Sequence, residues 1–413
     1  MSIKLDEELI GSNPWWKGGF FHISIKEREI YQEILPYLEK KQIIGIYGLR
    51  RTGKSYLIYY LIKKLLETKE PRSILYFSMD DFGQTSLREV ITAAENLSGM
   101  KAAYVFLDEV QKLDNWAEQV KRLYDLGNCK IFVSGSESLF LRKTSKESLG
   151  GRIFEFEVGP LAFGEYLSFR GIKTGALYSK EIREALGHYL LSSGFPELVE
   201  EKDLFFIRKY IKEGIIDKAI YRDIPERFEI EDPSILERIL NIVVDNPGLL
   251  VDKNDLAKTL GVSRGSVSKY LFYMETSFLL RKIHNYSANA STSEKKLKRY
   301  YPAFSPLGIG LKTDPEYMGK VAETVCILKS RTKFFWRNPQ KDEVDIVLTG
   351  PLLPIEVKYR ETPSVGGLFK FMQKFRADSG FVITKDLEQK EGQISYIPLW
   401  KFLLGSEKAR AQR

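Results

Sequence analysis

Cysteine is nearly absent from this sequence. Cys129 and Cys326 are the two in 413 residues, so neither a disulfide framework nor a Cys-based zinc cluster can be built within one chain, and a reducing compartment fits best. Long hydrophobic runs are lacking as well. No apolar stretch approaches the roughly 18 residues needed to span a bilayer, and the start, MSIKLDEELIGSNPWW, is acidic and has no apolar signal core. Both absences predict a cytoplasmic protein without membrane contact. No segment repeats at a period of roughly 20 to 50 residues, which excludes solenoids and arrays. Glutamine is scarce, ten residues among abundant Lys and Glu, a composition that leans toward thermophiles.

What is present is the balance of a globular protein, with 43% hydrophobic and 29% charged residues, 31 Gly and 16 Pro. The length allows about two to four domains. The net charge of +8 is localised: residues 281–301 carry +5 and residues 401–413 carry +3, which leaves the remainder neutral. A basic surface beyond the middle of the chain predicts an anionic partner there, although Lys-rich loops also serve solubility alone.

From residue 43 the chain alternates apolar strands with helical segments: IIGIYG, SILYFSM, AAYVFLD and KIFVSG are the strands. That alternation predicts a parallel α/β sheet. Between the first strand and the helix YLIYYLIKKLLE lies Gly48-Leu-Arg-Arg-Thr-Gly53-Lys54-Ser55, a Gly-x4-Gly-Lys-Ser loop in the strand–loop–helix setting that phosphate binding requires. Gly48 and Gly53 let backbone N–H groups of the loop, including Arg50, Arg51 and Thr52, close around phosphate oxygens, and the helix dipole points at them. Lys54 is placed to reach the β and γ phosphates, and Ser55 offers a hydroxyl to Mg²⁺. ATP with Mg²⁺ is the expected ligand.

The strand AAYVFLD ends in Asp108, expected to hold Mg²⁺ in its outer sphere, followed by Glu109, expected to orient and deprotonate the attacking water. The next strand ends near Ser134 and Ser136. Either can contact the γ-phosphate, with Ser134 preferred, although Ser after a strand is also common turn chemistry. Arg152 reads either as a finger on the nucleotide of a neighbouring subunit, which predicts a homo-oligomer, or as an ordinary solvated surface residue.

These segments, together with SGSES, GGRIFEFEVGPLAFGEYL, SGFPELV, YRDI and Asn13-Pro-Trp-Trp16, resemble the archaeal and bacterial AAA+-type P-loop ATPases of the "archaeal ATPase" group. The resemblance covers nearly the whole chain and is most specific in the first 230 residues. It implies a winged helix and a nuclease-like domain of uncertain role after the ATPase, with Arg152 in the family's Gly-Arg motif and Arg222 in its Tyr-Arg-Asp-Ile motif.

Further along, Asp255–Leu271 reads as two short helices around Gly261. Leu256, Ala257 and Leu260 on the first and Val267, Leu271 and Met274 on the second recur at helical spacing, and Ser263 can cap the second. The outer face then carries Arg264, Ser266, Ser268 and Lys269, suited to bases or phosphates in a groove, with FLLRKI following as a wing strand. The bland reading is a winged helix that only packs against protein.

In the last part KFFWR, EVDIVLT, LPIEVKY and FVITK are strands punctuated by Asn338-Pro339 and Gly350-Pro351. Alternation places Glu356 and Lys358 on one face of a hairpin, and the spacing brings Asp345 beside Glu356. Two oxygen ligands with Glu323 as a third suit Mg²⁺ or Mn²⁺, and Lys358 would polarise the attacking water. This resembles the PD-(D/E)xK restriction-endonuclease-like superfamily, with Val344 where Pro often precedes the Asp. The expected division is an α/β P-loop AAA+ ATPase domain over 1–165, a helical lid over 166–235, a winged helix-turn-helix over 236–300 and an α/β nuclease-like domain over 301–413. Two functions follow: an ATP-driven DNA-processing enzyme, or a nucleotide-operated DNA-binding switch whose C-terminal fold is inert.

Overall fold

The computed structural model describes residues 2–20, 24–80, 82, 84–136, 149–289, 291, 293, 296–310, 312–360 and 365–405. Of the basic residues counted above, Lys295, Lys408, Arg410 and Arg413 lie outside the described residues. The chain divides into two compact units, Met1–Gly159 and Pro160–Arg413. The first boundary falls close to the expected 165. The expected divisions near 235 and 300 do not separate compact units.

The first unit is built on five parallel strands, β1 (Ile43–Tyr47), β2 (Ile74–Ser78), β3 (Tyr104–Asp108), β4 (Lys130–Gly135) and β5 (Ile153–Glu157), in the order β2-β3-β4-β1-β5. The four expected strands are all present. Their near-continuous apolar runs follow from burial on both faces, as parallel sheets require: Ile43, Ile44 and Ile46 of β1 and Val105, Phe106 and Leu107 of β3 are fully buried. Helix Lys54–Leu66 buries Leu57, Ile58, Leu61, Ile62 and Leu65 on one face of the sheet. Helices Leu87–Ser98 and Trp116–Leu126 cover the other. Strand β5 was not among the expected strands, because IFEFE alternates with glutamates and lies half-exposed at the sheet edge.

The opposite edge, β2, is closed by side chains from the N-terminal segment. Asn13 Nδ2 donates to the Tyr76 carbonyl at 2.9 Å, and its Oδ1 accepts from the Tyr76 N–H at 2.7 Å. The indole N–H groups of Trp15 and Trp16 both donate to the Ile74 carbonyl at 2.9 Å. The Asn-Pro-Trp-Trp run therefore satisfies backbone groups that an open edge would leave unpaired.

In the second unit, helices run from Phe163 to Asp245, and a nine-stranded mixed sheet follows: β6 (Leu249–Val251), β7 (Leu280–Asn285), β8 (Lys298–Pro302), β9 (Phe334–Arg337), β10 (Glu343–Thr349), β11 (Leu352–Lys358), β12 (Gly380–Thr384), β13 (Gln389–Glu391) and β14 (Ile394–Pro398). Their order is β13-β14-β12-β11-β10-β9-β7-β8-β6. Parallel pairing of β7 with β9, His284 opposite Phe334, carries one sheet across the expected boundary at 300. Helix Pro315–Ser330 lies over it, with Val321, Ala322, Val325 and Cys326 in a core shared with Phe335, Ile346 and Ile355.

Candidate functional site

The P-loop follows β1, and its backbone explains its glycines. Gly48 has φ +149° and Gly53 φ +93°. A Cβ on Gly48 would stand 2.2 Å from the Val158 carbonyl oxygen, so only glycine fits the loop's approach to that neighbouring strand. The loop is pinned from outside by Arg28, buried, whose Nη1 donates to the Thr52 carbonyl at 2.7 Å and Nη2 to the Gly159 carbonyl at 3.1 Å. Thr52 is itself buried and donates its hydroxyl to the Leu49 carbonyl at 2.8 Å. Arg50 is half-buried and Arg51 exposed at φ 61°. Arg28 was missed by sequence reasoning, since nothing near residue 28 marks it.

Lys54 is buried, and its Nζ donates to the carbonyls of Gly48 and Leu49, each at 3.1 Å. The cation thus lies over the loop's own carbonyls. Ser55 Oγ donates to Asp108 Oδ2 at 2.8 Å, which brings the loop hydroxyl and the strand-end carboxylate together as a Mg²⁺ site requires. Asp108 also accepts from the Ser134 hydroxyl through Oδ1 and from the Tyr76 hydroxyl through Oδ2 at 3.1 Å. Burial, then the Asp108 charge, push the Tyr76 hydroxyl far above its ordinary range, so it stays a donor. Tyr76 lies on a different strand, and no linear motif marks it. Glu109 takes φ 51°, and its Oε2 accepts from Gln111 Nε2. Gln111 lies 3.4 Å from the buried Ser136 hydroxyl.

Arg152 does not join this constellation. Its carbonyl accepts from Ile43 N–H at 2.8 Å, at the start of β1, while Lys54 and Asp108 lie beyond the far ends of parallel strands. The separation is a strand length, roughly 16 Å for five residues. Its side chain pairs with Asp125 at 3.3 Å and lies over the Tyr124 ring. Arg222, in the second unit, pairs with Glu226 at 3.2 Å.

Helices Lys253–Leu260 and Arg264–Thr276 bury Leu256, Ala257, Leu260, Val267, Leu271 and Met274. Ser263 caps the second helix by accepting from the Ser266 N–H at 3.0 Å, and the two serine hydroxyls are 2.9 Å apart, so Ser266 is partly engaged in the cap. Arg264 and Lys269 are exposed and Ser268 is half-buried. Lys253 was missed: burial, then the charges of Lys282 and Lys298, with Arg264 adding to them, hold its ammonium below the usual lysine range. Glu275 opposes the shift and pairs with Lys282 at 2.7 Å.

The register of β10 and β11, Ile346 opposite Ile355, brings Asp345 beside Glu356, and Val357 N–H donates to Asp345 Oδ2 at 2.9 Å. Both carboxylates are buried. Glu356 pairs with Lys358 at 2.6 Å. Glu323, from helix Pro315–Ser330, does not meet an open metal position. It shares with Asp345 and Glu343 a guanidinium, that of buried Arg299 on β8: Nη1 lies 3.1 Å from Glu323 and 3.3 Å from Asp345, and Nη2 2.6 Å from Glu343. Tyr301 donates to Glu323 at 2.5 Å. Burial, then Asp345, push Glu323 up to about 7 and Glu356 up to about 8. Among the described residues no group of three or more His, Cys, Asp or Glu is arranged to hold a metal ion. Arg299 and Glu343 were not singled out in the sequence, where Arg299 counted only toward surface charge. The period-two placement of Arg299 and Tyr301 on one strand face was the available signal.

Among the described residues no helix is long and apolar enough to cross a membrane. Residues 40–167 match the family model of an AAA domain, and residues 183–303 match a domain of unknown function (DUF8612). The chain is similar to uncharacterized protein MJ1544 of Methanocaldococcus jannaschii, 27% identical over 97% of this chain and 95% of that protein. It is also similar to MJ1637 of the same organism, 28% identical over 90% of this chain and 87% of that one. Among solved structures it is similar to the Walker-type ATPase PABY2304 of Pyrococcus abyssi, at a TM-score of 0.41 and 19% identity over 69% of this chain and 95% of that chain. It is similar too to the Aeropyrum pernix ORC1 protein in complex with DNA, at a TM-score of 0.34 and 12% identity over 73% of this chain and 94% of that one. The loop geometry, the parallel sheet and the match over 40–167 give the first unit the P-loop fold of an AAA domain.

Proposed function

We propose that this protein hydrolyses ATP with Mg²⁺ and couples its nucleotide state to DNA bound by the Lys253–Pro302 region, in the cytoplasm. The observation that carries the ATPase reading is the Ser55–Asp108 contact of 2.8 Å at the mouth of a glycine-built loop, with Glu109 next in sequence. Bound Mg²⁺ supplies charge neutralisation on the β and γ phosphates. Loop N–H groups hold the phosphates, and Lys54 exchanges the Gly48 and Leu49 carbonyls for phosphate oxygens. Glu109 orients a water and accepts its proton, while Gln111 fixes that carboxylate's direction. Ser134 reports the γ-phosphate through Asp108. Arg152, remote from its own chain's loop, serves the nucleotide of a neighbouring subunit in a homo-oligomer. The helices of 166–235 act as the lid.

Helices Lys253–Leu260 and Arg264–Thr276 with the β7–β8 hairpin are read as a winged helix on DNA, supported by the cations gathered around Lys253. Strands β9 to β12 with helix Pro315–Ser330 are read as a nuclease-like fold, in which Asp345, Glu356 and Glu323 are the ligand set for Mg²⁺ or Mn²⁺ and Lys358 is the group beside the water. Arg299 among the carboxylates favours the second reading, a nucleotide-operated DNA-binding switch whose nuclease-like fold is inert as it stands.

The test is enzymatic. Lys54→Ala is expected to abolish nucleotide binding, and Glu109→Gln to keep binding and lose turnover by at least about a hundredfold, the usual worth of a positioned base. Full hydrolysis by Glu109→Gln would remove the assigned base. Labelled duplex, single-stranded and branched DNA incubated with Mg²⁺ or Mn²⁺, with and without ATP, separates the processing enzyme from the switch.

A further inference from the structure

Three carboxylates converge on one guanidinium in the second unit. Glu323 comes from a helix, Glu343 and Asp345 from β10, and Arg299 reaches them from β8. Arg299 is 6% exposed, and its plane lies over the Phe335 ring, 4.8 Å from the centroid. Its position is therefore set by packing as well as by charge. Arg337 Nε also lies 3.7 Å from Glu343 and Lys358 pairs with Glu356, so four carboxylates face three cations in this cluster. Beside the trio, Glu356 is 4% exposed and its Oε2 has no hydrogen-bond partner, although its other oxygen pairs with Lys358. With Arg299 in place these carboxylates are not arranged around a metal ion, but they and the buried Glu356 oxygen are donors of the kind a hard divalent cation takes.

Resting on the nuclease-like reading, we propose that Arg299 is the resident cation of this cluster and that a divalent metal binds there only in its place. The guanidinium and a metal ion would compete for the same oxygens of Glu323 and Asp345, so occupancy is exclusive. The two cations differ in what they leave. Arg299 satisfies Glu323, Glu343 and Asp345 but not Glu356 Oε2, whereas a metal between Asp345 and Glu356 would satisfy that oxygen too. The strand also carries the reason for the placement. Alternation along β8 turns Arg299 and Tyr301 toward Glu323, while Lys298 contributes to the cationic surface around Lys253. One strand thus joins the basic surface to the lock on the carboxylates.

The experiment is Mn²⁺ binding to the full chain without nucleotide, followed by calorimetry and by the electron paramagnetic resonance of free Mn²⁺. The proteins are wild type, Arg299→Met, Arg299→Met/Asp345→Asn and Asp345→Asn. Wild type is expected to show no Mn²⁺ binding that Asp345→Asn removes. Arg299→Met is expected to gain one site, at least tenfold tighter than any in wild type, and Arg299→Met/Asp345→Asn to lose it. If Arg299→Met melts early, Mn²⁺ is expected to restore its melting temperature and leave that of wild type unchanged. A wild-type site abolished by Asp345→Asn overturns the proposal and leaves the metal reading standing. An Arg299→Met protein that gains neither binding nor Mn²⁺-dependent stability overturns both.

Discussion

Gly48 and Gly151 both take positive φ, +149° and +72°, yet they answer to different constraints. At Gly48 a methyl group would meet the Val158 backbone at 2.2 Å, while at Gly151 nothing lies within 4 Å. Gly48→Ala is expected to displace the loop, cost more than about 2 kcal/mol in unfolding and abolish nucleotide binding. Gly151→Ala costs about 1 kcal/mol, the left-handed backbone term alone, and leaves nucleotide affinity unchanged. Denaturant unfolding and nucleotide titration of both proteins check this. The contrast also explains what was legible at this scale. Gly48, Lys54, Ser55 and Asp108 stand in linear motifs whose spacing encodes their geometry. Arg28 and Tyr76 act on them from other segments, through chain crossings that no local spacing records, whereas Gln111 stands two residues from Glu109 in the same run and was not singled out. Arg299 was hidden for another reason: a charged residue within a basic run reads as surface, and only its pairing with Glu323, Glu343 and Asp345 makes burial tolerable.

At the scale of elements, the strands β1 to β4 were legible because burial on both faces demands unbroken apolar runs, and β9 to β12 because turn residues bracket them. Strands β5 and β8 escaped, since IFEFE and KRYYP carry charges on positions that the fold pairs or covers. The pairing of β7 with β9, which carries one sheet past residue 300, is non-local and leaves no mark in the sequence. The closing of edge strand β2 gives a prediction. Asn13 is 1% exposed and its amide imitates a neighbouring strand by serving both the N–H and the carbonyl of Tyr76. Asn13→Ala strands both groups without water, so it is expected to lower the unfolding free energy of the first unit by about 2–4 kcal/mol. Asn13→Asp keeps the acceptor for the Tyr76 N–H but sets a carboxylate against the Tyr76 carbonyl, and is expected to be no more stable than Asn13→Ala. Thermal melting of the two variants decides whether the amide, and not the residue's volume, closes the edge.

For the whole molecule, the net charge of +8 bears on where the proposed DNA would bind. Of the basic residues in 281–301, Arg281 and Lys282 lie on β7 and Lys298 and Arg299 on β8, with Lys282 paired to Glu275 at 2.7 Å, while Lys253 and Arg264 come from the adjoining helices. Ordered cations at one surface displace counterions from nucleic acid together, and each phosphate contact adds about 0.9 to the slope of log K against log salt on duplex DNA. Lys253 and Lys298 belong to that surface, whereas Arg299, the next residue along β8, is buried against Glu323. Reversing Lys253 and Lys298 to Glu is therefore expected to weaken duplex binding and to reduce the salt slope by about 1.8. Arg299→Met is expected to leave the slope unchanged, although it removes a formal charge one residue away. ATP hydrolysis without DNA should be equal in all three proteins, because the loop and its carboxylates belong to the first unit. Binding isotherms over a range of salt concentrations give the slopes directly. A slope that survives the double reversal would move the DNA surface away from β8, and a slope that falls with Arg299→Met would mean that the guanidinium leaves its carboxylates to meet phosphate.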